Sequence, residues 1–281
     1  MQPNPSHNKV TQWQLLLLAI SFLTRIPVPL NFTVTGVHLN QASRYFALVG
    51  LLLGGLLAIT YSVFQLLLPP SISVLLMMAV GLLLTGAFHE DGWADVWDGF
   101  GGGWQIEQKL EIMKDSRLGT YGAAALFIIL LVKFQSLLSL SGSVQSETIL
   151  SDSMLSMTTL SMLSAIVIGQ CLSRALATSL IFSMDYVSAD ATSKVKPLAM
   201  QLSVTSLVTL VLTGAALLIC FIALGVMVWQ TATVIIAVLL IQRLLLIYWF
   251  KQQLGGYTGD CLGAAQQLSE VTIYLTLVSL L

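Results

Sequence analysis

From Tyr45 to Leu68, from Ser71 to Phe88 and from Leu198 to Trp229 the chain carries no charged side chain. A helix needs roughly 20 predominantly apolar residues to cross the hydrocarbon core of a bilayer, and each of these runs meets or approaches that length. Four more have the same character with one isolated charge each: Leu118–Leu140 with Lys133, Thr158–Phe182 with Arg174, Thr231–Phe250 with Arg243, and Gly263–Leu281 with Glu270. No soluble core holds so many. Charged residues are 9% of the 281 and hydrophobic ones 56%, against roughly 25% charged in ordinary globular chains. The expectation is an all-α polytopic integral membrane protein with about seven transmembrane helices, forming a single transmembrane catalytic domain over residues 1–281. Trp13–Leu23 is too short to cross before the Pro-flanked Arg25, and reads as an N-terminal interfacial or half-inserted helix.

The segments between the runs alternate in charge. Arg25 and Arg44 precede the first crossing, Lys109, Lys114 and Arg117 lie in 89–117, Lys194 and Lys196 in 183–197, and Lys251 in 251–262. The intervening turns, including Ser141–Met157, hold no Lys or Arg. By the positive-inside rule, 31–44, 89–117, 183–197 and 251–262 face the cytoplasm of a multi-pass protein of the bacterial cell (inner) membrane, with 141–157 and the C-terminus outside. A formal net charge of −1 and no basic stripe exclude nucleic acid as a partner; the lipid bilayer is one. Cys171, Cys220 and Cys261 have neither zinc spacing nor a disulfide framework, and read as small residues in apolar surroundings.

Residues 90–117 hold ten of the twenty-five formal charges. Asp91, Asp95 and Asp98 stand at i, i+4 and i+7, so on a helix they share one face within roughly 60°. Like charges stacked this way repel, and beside a low-dielectric boundary a cation relieves them. Oxygen-only ligands point to Mg²⁺ or Mn²⁺; Mg²⁺ typically binds through one or two carboxylates plus substrate phosphates. Gly101, Gly102 and Gly103 follow, and glycines let backbone N–H groups approach a bulky anion. The plain alternative is an acidic solvated loop with a flexible tail. Interleaved Trp93, Val96, Trp97 and Phe100, one residue from a membrane span, favour the metal–phosphate reading.

Lys114, Arg117 and the glycines and hydroxyls after them suit a phosphate site at a helix entrance. Alone they also fit a cytoplasmic amphipathic helix. Arg174 and Arg243 lie inside spans, where charge is functional by default, and both would reach toward an anionic site. Asp260 fits either a helix N-cap or a catalytic carboxylate, and His89 a base, a supporting group or an ordinary hydrogen-bonded histidine. Together these residues suggest a Mg²⁺-dependent transfer from an amphiphilic diphosphate to an alcohol. A transporter would use midplane charges too, but shows internal symmetry, which is missing here.

Three sequence blocks, Phe22-Leu23-Thr24-Arg25-Ile26-Pro27-Val28-Pro29, Gly86-Ala87-Phe88-His89-Glu90-Asp91-Gly92-Trp93-Ala94-Asp95 and Asp98-Gly99-Phe100-Gly101-Gly102-Gly103, carry a family likeness. So do Glu111-Ile112-Met113-Lys114-Asp115-Ser116-Arg117-Leu118-Gly119-Thr120 and Gly259-Asp260-Cys261-Leu262-Gly263-Ala264. They closely resemble the cobalamin synthase family, the adenosylcobinamide-GDP ribazoletransferases of bacterial and archaeal membranes. The resemblance implies the substrates adenosylcobinamide-GDP and α-ribazole or its 5′-phosphate, Mg²⁺, and release of GMP as adenosylcobalamin or its 5′-phosphate forms. Glu90 departs from the family pattern, which has a neutral or apolar residue there. Asp95-x-x-Asp98-Gly99 is also similar to part of the motif of CDP-alcohol phosphatidyltransferases, without their full spacing. Lower-base preference, metal count and assembly into a homo-oligomer stay open.

Overall fold

The computed structural model describes residues 10–142, 152–187 and 200–280. Its helices are α1 (Gln12–Leu23), α2 (Gly36–Ala42), α3 (Phe46–Gln65), α4 (Pro70–Thr85), α5 (Phe88–Gly102), α6 (Ile106–Lys114), α7 (Thr120–Leu140), α8 (Asp152–Ser179), α9 (Val204–Ala223), α10 (Trp229–Leu254) and α11 (Gly259–Ser279). Among the described residues the β-type pairing is a single bridge between Tyr186 and Tyr257. The fold is all-α, as expected. Lys194, Lys196 and most of 141–157, which carried part of the charge-alternation argument, lie outside the described residues.

Among the described residues five stretches are long and apolar enough to cross a membrane: Gly36–Gln65, Thr120–Leu140, Met162–Phe182, Val204–Ala223 and Trp229–Leu254. A sixth arises if α4 and α5 count as one broken span, bent by 87°. The expected count of seven included two segments that do not qualify alone. α4 has 16 residues, about 24 Å at 1.5 Å per residue, against a core of roughly 30 Å. α11 carries Asp260, Gln266, Gln267 and Glu270 and is buried along most of its length, enclosed by α5, α7, α8 and α10. α1, with 12 apolar-rich residues, is too short to cross. It packs Leu15, Leu18 and Leu23 against Phe46, Val49 and Leu53.

Two backbone features build the frame around the site. Gly50 and Gly54 form a small-x-x-x-small pair on α3, which in membranes lets helix backbones come close. A Cβ on Gly50 would lie 2.2 Å from the Gln170 carbonyl oxygen, and one on Gly54 2.7 Å from the Val167 Cα. The second feature is the corner after α4, where Gly86 (φ 66°) and Ala87 (φ 55°) are both left-handed. Glycine adopts that conformation freely, and alanine at a cost of roughly 1–2 kcal/mol. A Cβ on Gly86 would also meet Arg25 Nε at 2.3 Å, so the corner accepts only glycine there. It turns α5 at nearly a right angle to α4.

Gly50→Ala should destabilise the protein by about 1–3 kcal/mol through overpacking. Gly55→Ala, on the same helix with nothing within 4 Å of its Cβ, should be neutral or stabilising by roughly 0.5–1 kcal/mol. Thermal unfolding in detergent reads both; equal effects would disprove the close α3–α8 approach.

Candidate active site

α5 presents two different faces. Trp93, Trp97 and Phe100 turn toward α10, where Trp97 and Phe100 contact the Trp249 ring at 6.2 and 5.1 Å between centroids. Asp91, Asp95 and Asp98 fall on the opposite side, as their spacing requires. The N-terminus of α11 meets this helix at Gly92, where a Cβ would stand 2.9 Å from the Asp260 carbonyl oxygen. That close approach brings Asp260 to the acidic face. Asp95 lies in the field of Asp260, Asp91 and Asp98, and Asp260 in that of Asp91. Neither Asp91 nor Asp95 accepts a side-chain hydrogen bond among the described residues. The N-cap of α11 is Thr258, whose hydroxyl accepts the Cys261 N–H at 3.3 Å. Asp260 therefore sits in the first turn without being the cap, where the helix dipole favours its charge.

Asp98 is occupied differently. Its two carboxylate oxygens accept the backbone N–H groups of Gly119 at 2.7 Å and Gly122 at 2.8 Å, so it caps the start of α7 from a neighbouring helix. A Cβ on Gly119 or Gly122 would reach within 2.3 Å of this carboxylate. Gly101 packs against the Tyr121 ring and Gly103 against Lys109, while Gly102 lies near Ile112. The glycine run thus lets α5, α6 and α7 converge.

The cations expected at phosphate divide into two groups. Lys114 and Arg117 stand at the α6–α7 corner, with Arg117 largely exposed and donating to Asp115 at 3.0 Å. These bonds hold the Asp115 carboxyl below its ordinary range. Arg174 and Arg243 turn inward to the protein. Arg174 is 3% exposed and donates to Gln170 Oε1 at 2.6 Å. Arg243 donates to Ser179 Oγ at 2.8 Å, to the Ser179 carbonyl at 3.0 Å and to Ser183 Oγ, which satisfies the C-terminal end of α8. His89 is buried on the first turn of α5, edge-on to Phe88 at 5.4 Å, and lines two internal cavities together with Arg174.

Sequence reasoning named Lys133 and Glu270 only as lone charges and missed the network they build. Lys133 Nζ stands 3.1 Å from Glu270 Oε1 and donates to Gln267 Oε1 at 3.0 Å. Glu270 also accepts from Gln170, Gln266 and Tyr274 at 2.7–2.9 Å. Gln267 in turn donates to Glu90 Oε1 at 2.9 Å. The signal was present, since a lone charge inside an apolar run needs a buried partner, but the sequence does not say which. Tyr186 was missed as well. Burial and then the charge of Asp260 raise its phenol above the ordinary range, and its bridge to Tyr257 ties the segment after α8 to the entrance of α11.

The family model described as cobalamin-5-phosphate synthase matches residues 15–278. The chain belongs to that family. A relative from Shewanella piezotolerans (strain WP3 / JCM 13877), named adenosylcobinamide-GDP ribazoletransferase, is 49% identical over 95% of either chain. One of the same name from Vibrio cholerae (strain O395) is 48% identical over 96% of this chain and 95% of its own. No solved structure matches. The match to the cobalamin-5-phosphate synthase family runs through the acidic helix, the α6–α7 corner and the N-terminus of α11 alike.

Asp98→Ala should leave one buried and one part-buried N–H group unpaired and cost about 1–3 kcal/mol even with divalent cations chelated. Asp95→Asn should be neutral or stabilising under the same conditions, because it removes like-charge repulsion. Thermal unfolding with a chelator present separates the two, and equal responses would contradict the division of roles.

Proposed function

We propose that this protein catalyses the last assembly step of cobalamin biosynthesis. In this reading α-ribazole, or its 5′-phosphate, is joined to adenosylcobinamide-GDP, releasing GMP. The observation that carries the reading is near-50% identity, over almost the whole length, to relatives named for that reaction. The acidic face supports it, since it gathers the donor chemistry such a transfer needs.

A hard divalent cation fits these residues. Asp91, Asp95 and Asp260 bring their carboxylates into one another's field. Among the described residues no three His, Cys, Asp or Glu side chains are grouped so that they could hold a metal ion by themselves. Mg²⁺ commonly binds in just that open way, through one or two carboxylates and the substrate's own phosphates. Asp91 and Asp95, with Asp260 beside them, would hold Mg²⁺ on the diphosphate. The ion would supply charge neutralisation of the phosphoryl oxygens. Asp98, whose oxygens are taken by Gly119 and Gly122, keeps the neighbouring helix entrance in place. Lys114 and Arg117 would meet the diphosphate's outer oxygens, whereas Arg174 donates to Gln170 and Arg243 to Ser179 and Ser183. Asp260, at the junction of α5 and α11, would accept the proton of the attacking hydroxyl. By the positive-inside rule this face would lie on the cytoplasmic side of the inner membrane.

One experiment tests reaction and sidedness together. Inverted membrane vesicles given adenosylcobinamide-GDP, α-ribazole and Mg²⁺ should release GMP, and sealed right-side-out vesicles should not. Release of CMP from a CDP-lipid instead would favour a phosphatidyltransferase. Corrinoid uptake without a covalent product would favour a transporter, and GMP formed by right-side-out vesicles would reverse the orientation.

A further inference from the structure

Four ionisable side chains are buried together behind the acidic face: Glu90 on α5, Lys133 on α7, Arg174 on α8 and Glu270 on α11, at 8, 7, 3 and 2% exposure. Two are anions and two are cations. Ions so deeply placed are tolerable only when paired and hydrogen-bonded, and the connections are explicit. Glu90 accepts from Gln267, Gln267 accepts from Lys133, Lys133 meets Glu270, and Glu270 accepts from Gln170, which in turn accepts from Arg174. The two ends of this path come back to one place. Glu90 Oε2 and Arg174 Nε are buried without a hydrogen-bond partner among the described residues, the carboxylate acts electrostatically on the guanidinium, and both residues line the same internal cavity.

Glu90 is the member of the quartet that belongs to α5. It lies one residue before Asp91 and five before Asp95, and successive helical side chains are turned by about 100°. A carboxylate drawn inward at 90 therefore fixes the rotation that presents 91 and 95 outward. The aromatic contacts to Trp249 hold the middle and far end of α5; Glu90 holds its first turn. The family resemblance gave this carboxylate no role, and the catalytic reading above leaves it unused.

We propose that Glu90 is a positioning residue. Through Gln267, Lys133 and Arg174 it locks the first turn of α5 against α7, α8 and α11, and so sets the angle at which Asp91 and Asp95 meet the cation and diphosphate. The functional half of this proposal rests on the reading of that face as the cation site; the mechanical half does not.

The test uses the purified full-length protein and three variants: Glu90→Gln, Glu90→Leu, and the exchange Glu90→Gln/Gln267→Glu, which moves the carboxylate across the same hydrogen bond while keeping the quartet neutral. Without divalent cations, hydrogen exchange of the α5 backbone amides reads the lock directly. Glu90→Leu should speed exchange in Phe88–Gly102, and the exchange variant should restore protection. In turnover assays, Glu90→Leu should raise the half-saturating Mg²⁺ concentration about tenfold or more, as loss of a supporting contact typically does. Glu90→Gln should raise it less, and the exchange variant should bring it back toward the native value, with KM for α-ribazole unchanged throughout. Should Glu90→Leu fail to fold, the other two variants carry the comparison. Native-like α5 protection in Glu90→Gln and Glu90→Leu, or failure of the exchange variant to restore either readout, overturns the proposal. Asp95→Asn is measured alongside. If its Mg²⁺ dependence is unchanged, the cation reading of the face fails, while hydrogen exchange still decides the lock.

Discussion

Gln266, Gln267, Glu270 and Tyr274 lie within a little more than two turns of α11, and none of them can face lipid. Each needs a hydrogen-bond partner inside the protein, because an unsatisfied polar group in the hydrocarbon region costs several kcal/mol. Much of the architecture answers that requirement. α8 supplies Gln170 and Ser173, α7 supplies Lys133, and α5 supplies Glu90. α11 becomes the axis of the molecule, and α8 is drawn in so tightly that α3 must use Gly50 and Gly54 to pack on it.

The same axis creates the candidate site. α11 begins where its buried polar stretch has just emerged, and Asp260 stands in that first turn. α5 reaches it by turning sharply out of α4 through two left-handed residues. Because α5 and α11 touch backbone to backbone at Gly92, the carboxylates of both helices crowd into one small region. A polar interior and a carboxylate-lined end are then two faces of one packing solution: two anions matched by two cations inside, and carboxylates in one another's field at the end. The repulsion left at that end is what a cation and a diphosphate together would relieve.

Local periodicity carried some of this far. The i, i+4, i+7 spacing of Asp91, Asp95 and Asp98 was readable because a helix face is a property of neighbouring residues. The apolar runs were readable for the same reason, and five of the seven expected crossings meet the membrane criterion. What failed to show were pairings between distant residues. Nothing near Asp98 in sequence announces that Gly119 and Gly122 will consume both its oxygens, although Gly119 stood in a block already singled out and Gly122 lies two residues beyond it. Arg243 reads as an intramembrane cation with no stated partner until Ser179 and Ser183 are seen beside it. The count of crossings differed for a related reason. α11 is too polar to pass as a lipid-facing span because its neighbours, not its own sequence, keep it from lipid.

The central proposal is that Asp91 and Asp95, with Asp260 beside them, rather than the capping carboxylate of Asp98, would hold the cation. A crystal of the protein grown with GMP and Mn²⁺, measured at the manganese absorption edge, tests it most directly. The account predicts an anomalous peak within coordination distance of at least one oxygen of Asp95 or Asp91 and of a GMP phosphate oxygen, with Asp98 still bound to the Gly119 and Gly122 amides. A peak coordinated by Asp98 with those amide bonds broken, or one remote from α5, would contradict it.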